Sequence, residues 1–200
     1  RYDLDYYPKL VTSIPFTPAH GPRIGTRQPL DTIIPTIRNA IPQIAAKLNA
    51  SSWHGLFAPK ETIEQFSTPE IMPRLGCQYH WFNHNYCDFD HFLERFNSRK
   101  RKNLRKERKK VSDQGVELRT YSGKDISDAL LHRFYHFYQI TYLKRGRKGY
   151  LTPEFFTLLR DTMPDHLVLV VAYVKDQAVA GALSLRSTTT LYGRYWGCLE

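Results

Sequence analysis

Twelve consecutive residues, Arg99 to Lys110, read RKRKNLRKERKK. Nine are basic and one is acidic, a net of +8. Charge at that density cannot be taken out of water without partners, and the run holds one acid to nine bases. Whatever the fold, this segment lies on the surface, and the apolar residues around it decide how. On a helical wheel Phe89, Phe92, Phe96, Leu104 and Val111 fall in one stripe with Leu93 beside them, and the basic residues cover most of the remaining circumference. A single amphipathic helix from Phe89 to Asp113, capped by Asp88, accounts for both patterns. Elsewhere the chain carries 20 basic and 18 acidic residues, a net of +2. A diffusely basic, histone-like polypeptide is excluded.

Hydrophobic residues make up 42% of the 200, which argues against disorder. No apolar run approaches the roughly 18 to 20 residues that span a bilayer. The opening RYDLDYYPKL has neither the basic nor the apolar region of a signal peptide. Cys77, Cys87 and Cys198 are too few and too scattered for a disulfide framework, so a reducing, cytoplasmic setting is expected. The chain opens on Arg1, its only methionines are Met72 and Met163, and it stops just after the strand-like LYGRYWGC. An excerpt of a longer protein, cut at both ends, is the expectation.

Along the chain, Lys9 to Phe16 alternates as a strand that Pro15 ends or places at an edge. Asp31 is expected to cap a helix through Leu48, with Pro35 tolerated in the first turn and Pro42 breaking or kinking the interior. Trp53 to Ala58 and Arg74 to Asn83 read as strands, with a short helix opening at Pro59. Gly115 ends the basic helix. Val116 to Tyr121 is a strand. Asp125 to Tyr142 is an aromatic-rich helix with Leu130, Phe134, Phe137 and Tyr138 on one face. Arg145 to Tyr150 is a basic glycine loop, and Thr152-Pro153 opens a further helix. Strands over 166–174, 178–186 and 191–197, joined by short turns, predict an antiparallel meander. The fold class is α+β.

The order of elements from Gly115 resembles the first part of a GNAT acyltransferase domain. The wording is closer still to the Fem-like GNAT proteins of the peptidoglycan biosynthesis/recognition group. The phrases that carry this are YPKLVTSIPFTPAHGPR (Tyr7 to Arg23), GCQYHWFNHNY (Gly76 to Tyr86), FLERFNSRKRKNLRKERKKV (Phe92 to Val111), YLTPEFF (Tyr150 to Phe156) and VAGALSLRSTTTLYGRYWGCLE (Val179 to Glu200). They cover nearly the whole chain in order. The resemblance implies tandem GNAT-like domains, both incomplete: residues 1–88 the C-terminal part of the first, 89–114 a basic linker helix, and 115–200 the N-terminal half of the second. It also implies acyl or aminoacyl transfer onto an amine, with acyl-CoA or aminoacyl-tRNA as donor and a peptidoglycan precursor as acceptor. A non-catalytic recognition module for the precursor or for RNA is the alternative.

Several residues are candidates for this chemistry. Arg99, Arg101, Lys102, Arg105, Lys106, Arg108 and Lys109 would contact a polyanion, either RNA, a lipid-linked phosphate or an anionic membrane. The resemblance suggests the acceptor arm of tRNA; the plain alternative is a solvated helix between domains. Cys77, His80, His84 and Cys87 follow a C-x2-H-x3-H-x2-C spacing of zinc-type ligands. A strand would put Cys77 and His80 on opposite faces, and the spacing is compressed, so no metal is expected. His80, Trp81, Asn83 and Tyr86 read instead as a polar and aromatic wall for substrate. On the last strand, alternation puts Tyr192, Arg194 and Trp196 on one face and Tyr195 on the other. In a GNAT-like fold this strand borders the donor cleft, so Tyr192 and Arg194 are the catalytic candidates and Trp196 a substrate contact. Arg145 and Tyr150, in the glycine loop, would close over an anionic substrate. Ser51, Ser52 and His54 form no nucleophile motif.

Overall fold

The computed structural model describes residues 5–14 and 18–199. The chain divides into two compact units, Arg1–Phe82 and Asn83–Glu200.

In the first unit, β1 (Leu10–Thr12) pairs in parallel with β2 (Trp53–Gly55). Both are shorter than the alternation predicts, and the Pro15 and Phe16 end of the expected strand lies outside the described residues. Helix α1 (Leu30–Lys47) runs through both Pro35 and Pro42. The expected interruption at Pro42 is therefore not a break. Each proline removes one N–H donor, but most of α1 is exposed, so the carbonyls left without it can meet water. Ile34 is the fully buried residue of its stripe, while Ile44 and Leu48 are exposed. Helix α2 (Lys60–Phe66) buries Thr62 and Phe66, and Phe66 packs on Trp53 at 5.5 Å. The strand expected over 74–83 is absent. Residues 73–82 run without a ladder partner and lie exposed, because β1 and β2 are too short to extend pairing to them.

The second unit opens with the basic segment, which is not one helix. Helix α3 (Phe89–Leu93) and helix α4 (Ser98–Asp113) are separate. Each has its own cap: Asp88 accepts from the His91 amide at 2.8 Å, and Asn97 accepts from the Lys100 amide at 2.9 Å. The consequence is a fold-back. In one straight helix Phe89 and Arg108 would stand ~28 Å apart. Here the Arg108 guanidinium lies 4.0 Å from the Phe89 ring centroid, and Arg105 binds Asp90 at 2.8 Å. Leu93 is fully buried, Leu104 is half-buried and Val111 is exposed, so the apolar stripe fades toward the end of α4.

Gly115, at φ 68°, ends α4 in the left-handed region that glycine adopts without strain. Then follow β3 (Val116–Ser122), α5 (Asp128–Leu143), α6 (Pro153–Thr162), β4 (Leu167–Val174), β5 (Gln177–Arg186) and β6 (Leu191–Cys198). The sheet order is β3-β4-β5-β6, antiparallel throughout, as the predicted meander requires. Helix α5 starts three residues later than expected because Ser127 takes the cap, accepting from the Leu130 amide. Lys175 and Asp176 both have positive φ, 48° and 60°, and make the two-residue turn between β4 and β5.

The core lies on one face of this sheet. Along β4, Leu167, Leu169, Val171 and Tyr173 are buried and their alternates are half-exposed. Leu131, Phe134 and Tyr138 from α5 and Phe156 from α6 pack on that face with Leu183 of β5. Two glycines let α5 approach closely. Gly181 and Gly197 are paired across β5 and β6; a Cβ on Gly181 would meet the Phe134 ring at 2.9 Å, and one on Gly197 would drive into the Phe137 carbonyl. Gly197→Ala must therefore push α5 off the sheet, an overpacking cost of about 1–3 kcal/mol. Thermal melts check this. A melting temperature equal to wild type would show that α5 does not sit where described.

Among the described residues, no helix is long and apolar enough to cross a membrane.

Candidate functional site

Helix α5 carries Tyr135, Tyr138 and Tyr142 at i, i+3 and i+7, so their rings fall on one face. Tyr138 is 1% exposed. Its ring touches those of Tyr142 at 4.9 Å, Phe156 at 5.4 Å and Tyr195 at 5.6 Å. Its hydroxyl accepts the Leu151 amide at 3.1 Å. The glycine loop is thereby fastened to the helix, and a second fastener is Gln139, whose Oε1 accepts the Gly149 amide at 3.2 Å while its Nε2 donates to Tyr135. Gly149 sits so close to Tyr138 that a Cβ there would lie within 2.4 Å of the ring. Gly146, at φ 68°, reverses the chain at the end of α5. The loop is thus bent by one glycine and closed onto α5 by another, and it delivers Tyr150 beside Tyr142, centroids 5.8 Å apart.

The second wall is β6. Its register on β5 is irregular: Leu183 pairs with Tyr195 but Ser184 pairs with Gly193. Arg194 is the extra residue of a β-bulge. The bulge overturns the simple alternation. Cross-strand partners share a face, so Tyr195 (opposite Leu183) and Tyr192 (opposite Leu185) both belong to the helix-covered face. Trp196, opposite Ala182, belongs to the other and is 59% exposed. Arg194 is re-aimed to the helix side. Its guanidinium stacks over the Tyr195 ring at 4.6 Å and donates to the Tyr150 hydroxyl at 3.1 Å.

The result is a half-exposed cluster in which one guanidinium meets a set of interacting tyrosines. Burial, with the neighbouring tyrosines, pushes the Tyr142 hydroxyl up to about 12. Burial also raises Tyr138 and Tyr195, the latter against the opposing pull of the Arg194 charge. These phenols therefore stay neutral near pH 7 and act as hydrogen-bond donors and acceptors. Beside them Arg194 supplies a fixed positive charge, suited to an anionic group or to charge developing on an oxygen.

Of the predicted site residues, the fold brings Arg194 and Tyr150 into direct contact and leaves Tyr192 exposed on the same strand face as Tyr195. Trp196 is turned to the opposite face, and Arg145 stands exposed on the loop. The predicted wall does not form on a strand. His80 and Trp81 belong to the first unit, Asn83 and Tyr86 to the second, and all but Tyr86 are exposed. Asn83 makes a local turn instead, accepting the Tyr86 amide at 3.1 Å. Among the described residues no three His, Cys, Asp or Glu side chains gather as metal ligands. Sequence reasoning passes over Tyr138, Tyr142 and Tyr195 as site residues; the 135, 138, 142 spacing signals the first two, and nothing in the β6 sequence marks Tyr195.

A separate polar cluster sits in the first unit. The Ser51 amide donates to Pro8 O and the Leu10 amide to Ser52 O, which fixes Lys9 beside both serines. Lys9 Nζ donates to Ser52 Oγ at 2.8 Å, and that oxygen lies 3.1 Å from His54 Nε2. Lys9 also lies over the Tyr6 ring at 3.9 Å. The set ties β1 to β2.

The model of the FemAB-like family, described as peptidoglycan biosynthesis/recognition, matches residues 1–200, the whole chain. No curated protein matches the sequence.

Proposed function

Because the chain belongs to the FemAB-like family of peptidoglycan biosynthesis and recognition, we propose that it moves an acyl or aminoacyl group onto an amine of a peptidoglycan precursor, at the Arg194 tyrosine cluster. The observation that supports this most is the bulge on β6, which puts a guanidinium beside neutral phenols at the edge of the sheet. Among the described residues β6 is paired on one side only, so one row of its backbone amides lies outside the ladder. Amides so placed stabilise the oxyanion that develops when an amine attacks a carbonyl. Arg194 anchors the anionic part of the donor, either acyl-CoA or aminoacyl-tRNA. Tyr192 protonates the leaving group as the C–N bond forms and the donor's C–O or C–S bond breaks, and its phenolate then takes up the proton that the amine nitrogen sheds. Tyr150 lines the path of the substrates, with Arg145 over the mouth, while Trp196, on the opposite face, takes no part. Asn83 and Tyr86, of the same unit as the cluster, contact the acceptor.

The same reading takes residues 1–88 as the end of a first GNAT-like domain, 89–114 as a basic connector and 115–200 as the beginning of a second. The order strand, two helices, three-stranded meander over 116–198 supports it. The reaction belongs in the cytoplasm, where both kinds of donor are made.

Mass spectrometry of candidate amine acceptors after incubation with acyl-CoA or charged tRNA tests the reading. A mass gain equal to the acyl group is expected. Arg194→Ala should lower kcat/KM by about 10- to 100-fold, on the scale of losing a charge-assisted hydrogen bond to the donor. Its melting temperature should change little. Precursor binding without any mass gain would reduce the protein to a recognition module. Transfer undiminished by Arg194→Ala would remove this cluster from the chemistry.

A further inference from the structure

The fold-back of α4 on α3 sorts the nine cations of the basic run. Arg101 donates to Phe96 O at 2.8 Å, Arg105 binds Asp90, and Arg108 stacks on Phe89. These three lie at i, i+4 and i+7 and turn toward α3. Lys109 is held by Asp113 at 2.7 Å. Lys100, exposed, lies on the flank beside Glu107. The other four are orderly. Arg99, Lys102, Lys106 and Lys110 are exposed, have no partner among the described residues, and step by 3, 4 and 4 along the helix. At 100° per residue they fall within an arc of about 80°, on the side turned away from α3. The row is ~16 Å long. Glu107, the one acid of the run, lies on another flank.

We propose that this outward row docks the protein on an anionic lipid surface. Three features favour a planar bed of anionic headgroups over a nucleic acid. The row is single-file on a convex helix, not a groove that could follow a sugar–phosphate backbone. No aromatic side chain stands in it to stack on a base. Three of the four cations are lysines, compact point charges suited to a diffuse negative surface rather than to bidentate recognition. Leu104, the one apolar residue of the run, is half-buried and lies on the side of α4 away from the row, so binding is electrostatic and without insertion. It is reversible and weakens as salt screens the row. The docking goes beyond the transfer reading and does not depend on it.

The test is co-sedimentation of the full chain with vesicles of phosphatidylcholine alone or mixed with phosphatidylglycerol, at rising salt. Each cation near the surface is worth about fivefold in partitioning, so replacing all four lowers it by roughly several hundredfold. The variant is Arg99→Gln/Lys102→Gln/Lys106→Gln/Lys110→Gln. A charge-matched control, Arg27→Gln/Lys47→Gln/Lys60→Gln/Arg74→Gln, removes four exposed cations from the first unit and should bind nearly as wild type. Unchanged circular dichroism melts in both variants exclude unfolding as the cause. Salt-sensitive binding to phosphatidylglycerol vesicles that only the first variant loses supports the proposal. No binding, equal loss in both variants, or tRNA displacing the vesicles from the row would overturn it.

Discussion

Replacing Tyr138 by alanine is expected to unfold the second unit or bring it to the edge of unfolding. The ring is 1% exposed and lies against Tyr135, Tyr142, Phe156 and Tyr195. Truncating a buried aromatic costs about 3–5 kcal/mol, through lost transfer free energy and the cavity left behind. A domain holds only about 5–15 kcal/mol in total. Tyr138→Phe separates the two contributions of the side chain. It keeps the packing and removes the acceptor for the Leu151 amide, a loss of about 1–3 kcal/mol if that amide is left without a partner. The phenylalanine variant should fold normally yet loosen the 144–151 loop, read as faster amide exchange at Gly149 and Leu151. Melting curves for the alanine variant within ~2 °C of wild type would contradict the packing described.

The second large effect is alkaline unfolding. Burial raises the hydroxyls of Tyr142 and Tyr173 to about 12 and raises those of Tyr138 and Tyr195 as well, all from an ordinary value of 10.0. Tyr173 also shares a hydrogen bond with Tyr121 at 2.9 Å. The direction of the linkage follows from proton counts. Below pH 10 both folded and unfolded chains keep these protons, and the stability is fully present. Between 10 and about 12 the unfolded chain has released them and the folded chain has not, so stability falls as pH rises. Four such groups in one unit steepen the fall, because each adds a released proton to the difference between the two states. Thermal melts from pH 8 upward, followed together with tyrosinate absorbance, should show ionisation of the buried phenols coinciding with unfolding. The double variant Tyr142→Phe/Tyr195→Phe should flatten the decline. A melting temperature constant across that interval would mean the phenols are solvated.

How far the sequence reaches is visible in particular elements. The 167–198 meander was legible because its period-two alternation, short turns and lack of interior proline all agree. Helix α5 was legible for the same reason at period 3.6. The basic segment misled, because the wheel that joins Phe89 to Val111 is continuous across Asn97. A cap is a backbone event, and an asparagine among charged residues signals it only weakly. The bulge at Arg194 was invisible for another reason. One extra residue inverts every later side chain, yet nothing in LYGRYWGC marks where pairing slips. Arg194 and Tyr150 were therefore identified as separate candidates, and their contact had to come from the fold. The 74–83 segment reads as a strand but has no neighbour to pair with among the described residues, a condition that lies outside the segment itself.

Helix α4 performs two duties on opposite sides, and the duties do not compete. Changes to Arg101, Arg105 or Arg108 disturb the hold on α3 and so the folding of the unit. Changes to Arg99, Lys102, Lys106 or Lys110 touch no intramolecular partner among the described residues. Mutation can therefore raise or lower the charge of the outer row one residue at a time while thermal stability stays level. A lineage can retune how strongly this helix grips its surroundings without first acquiring a compensating change in the core.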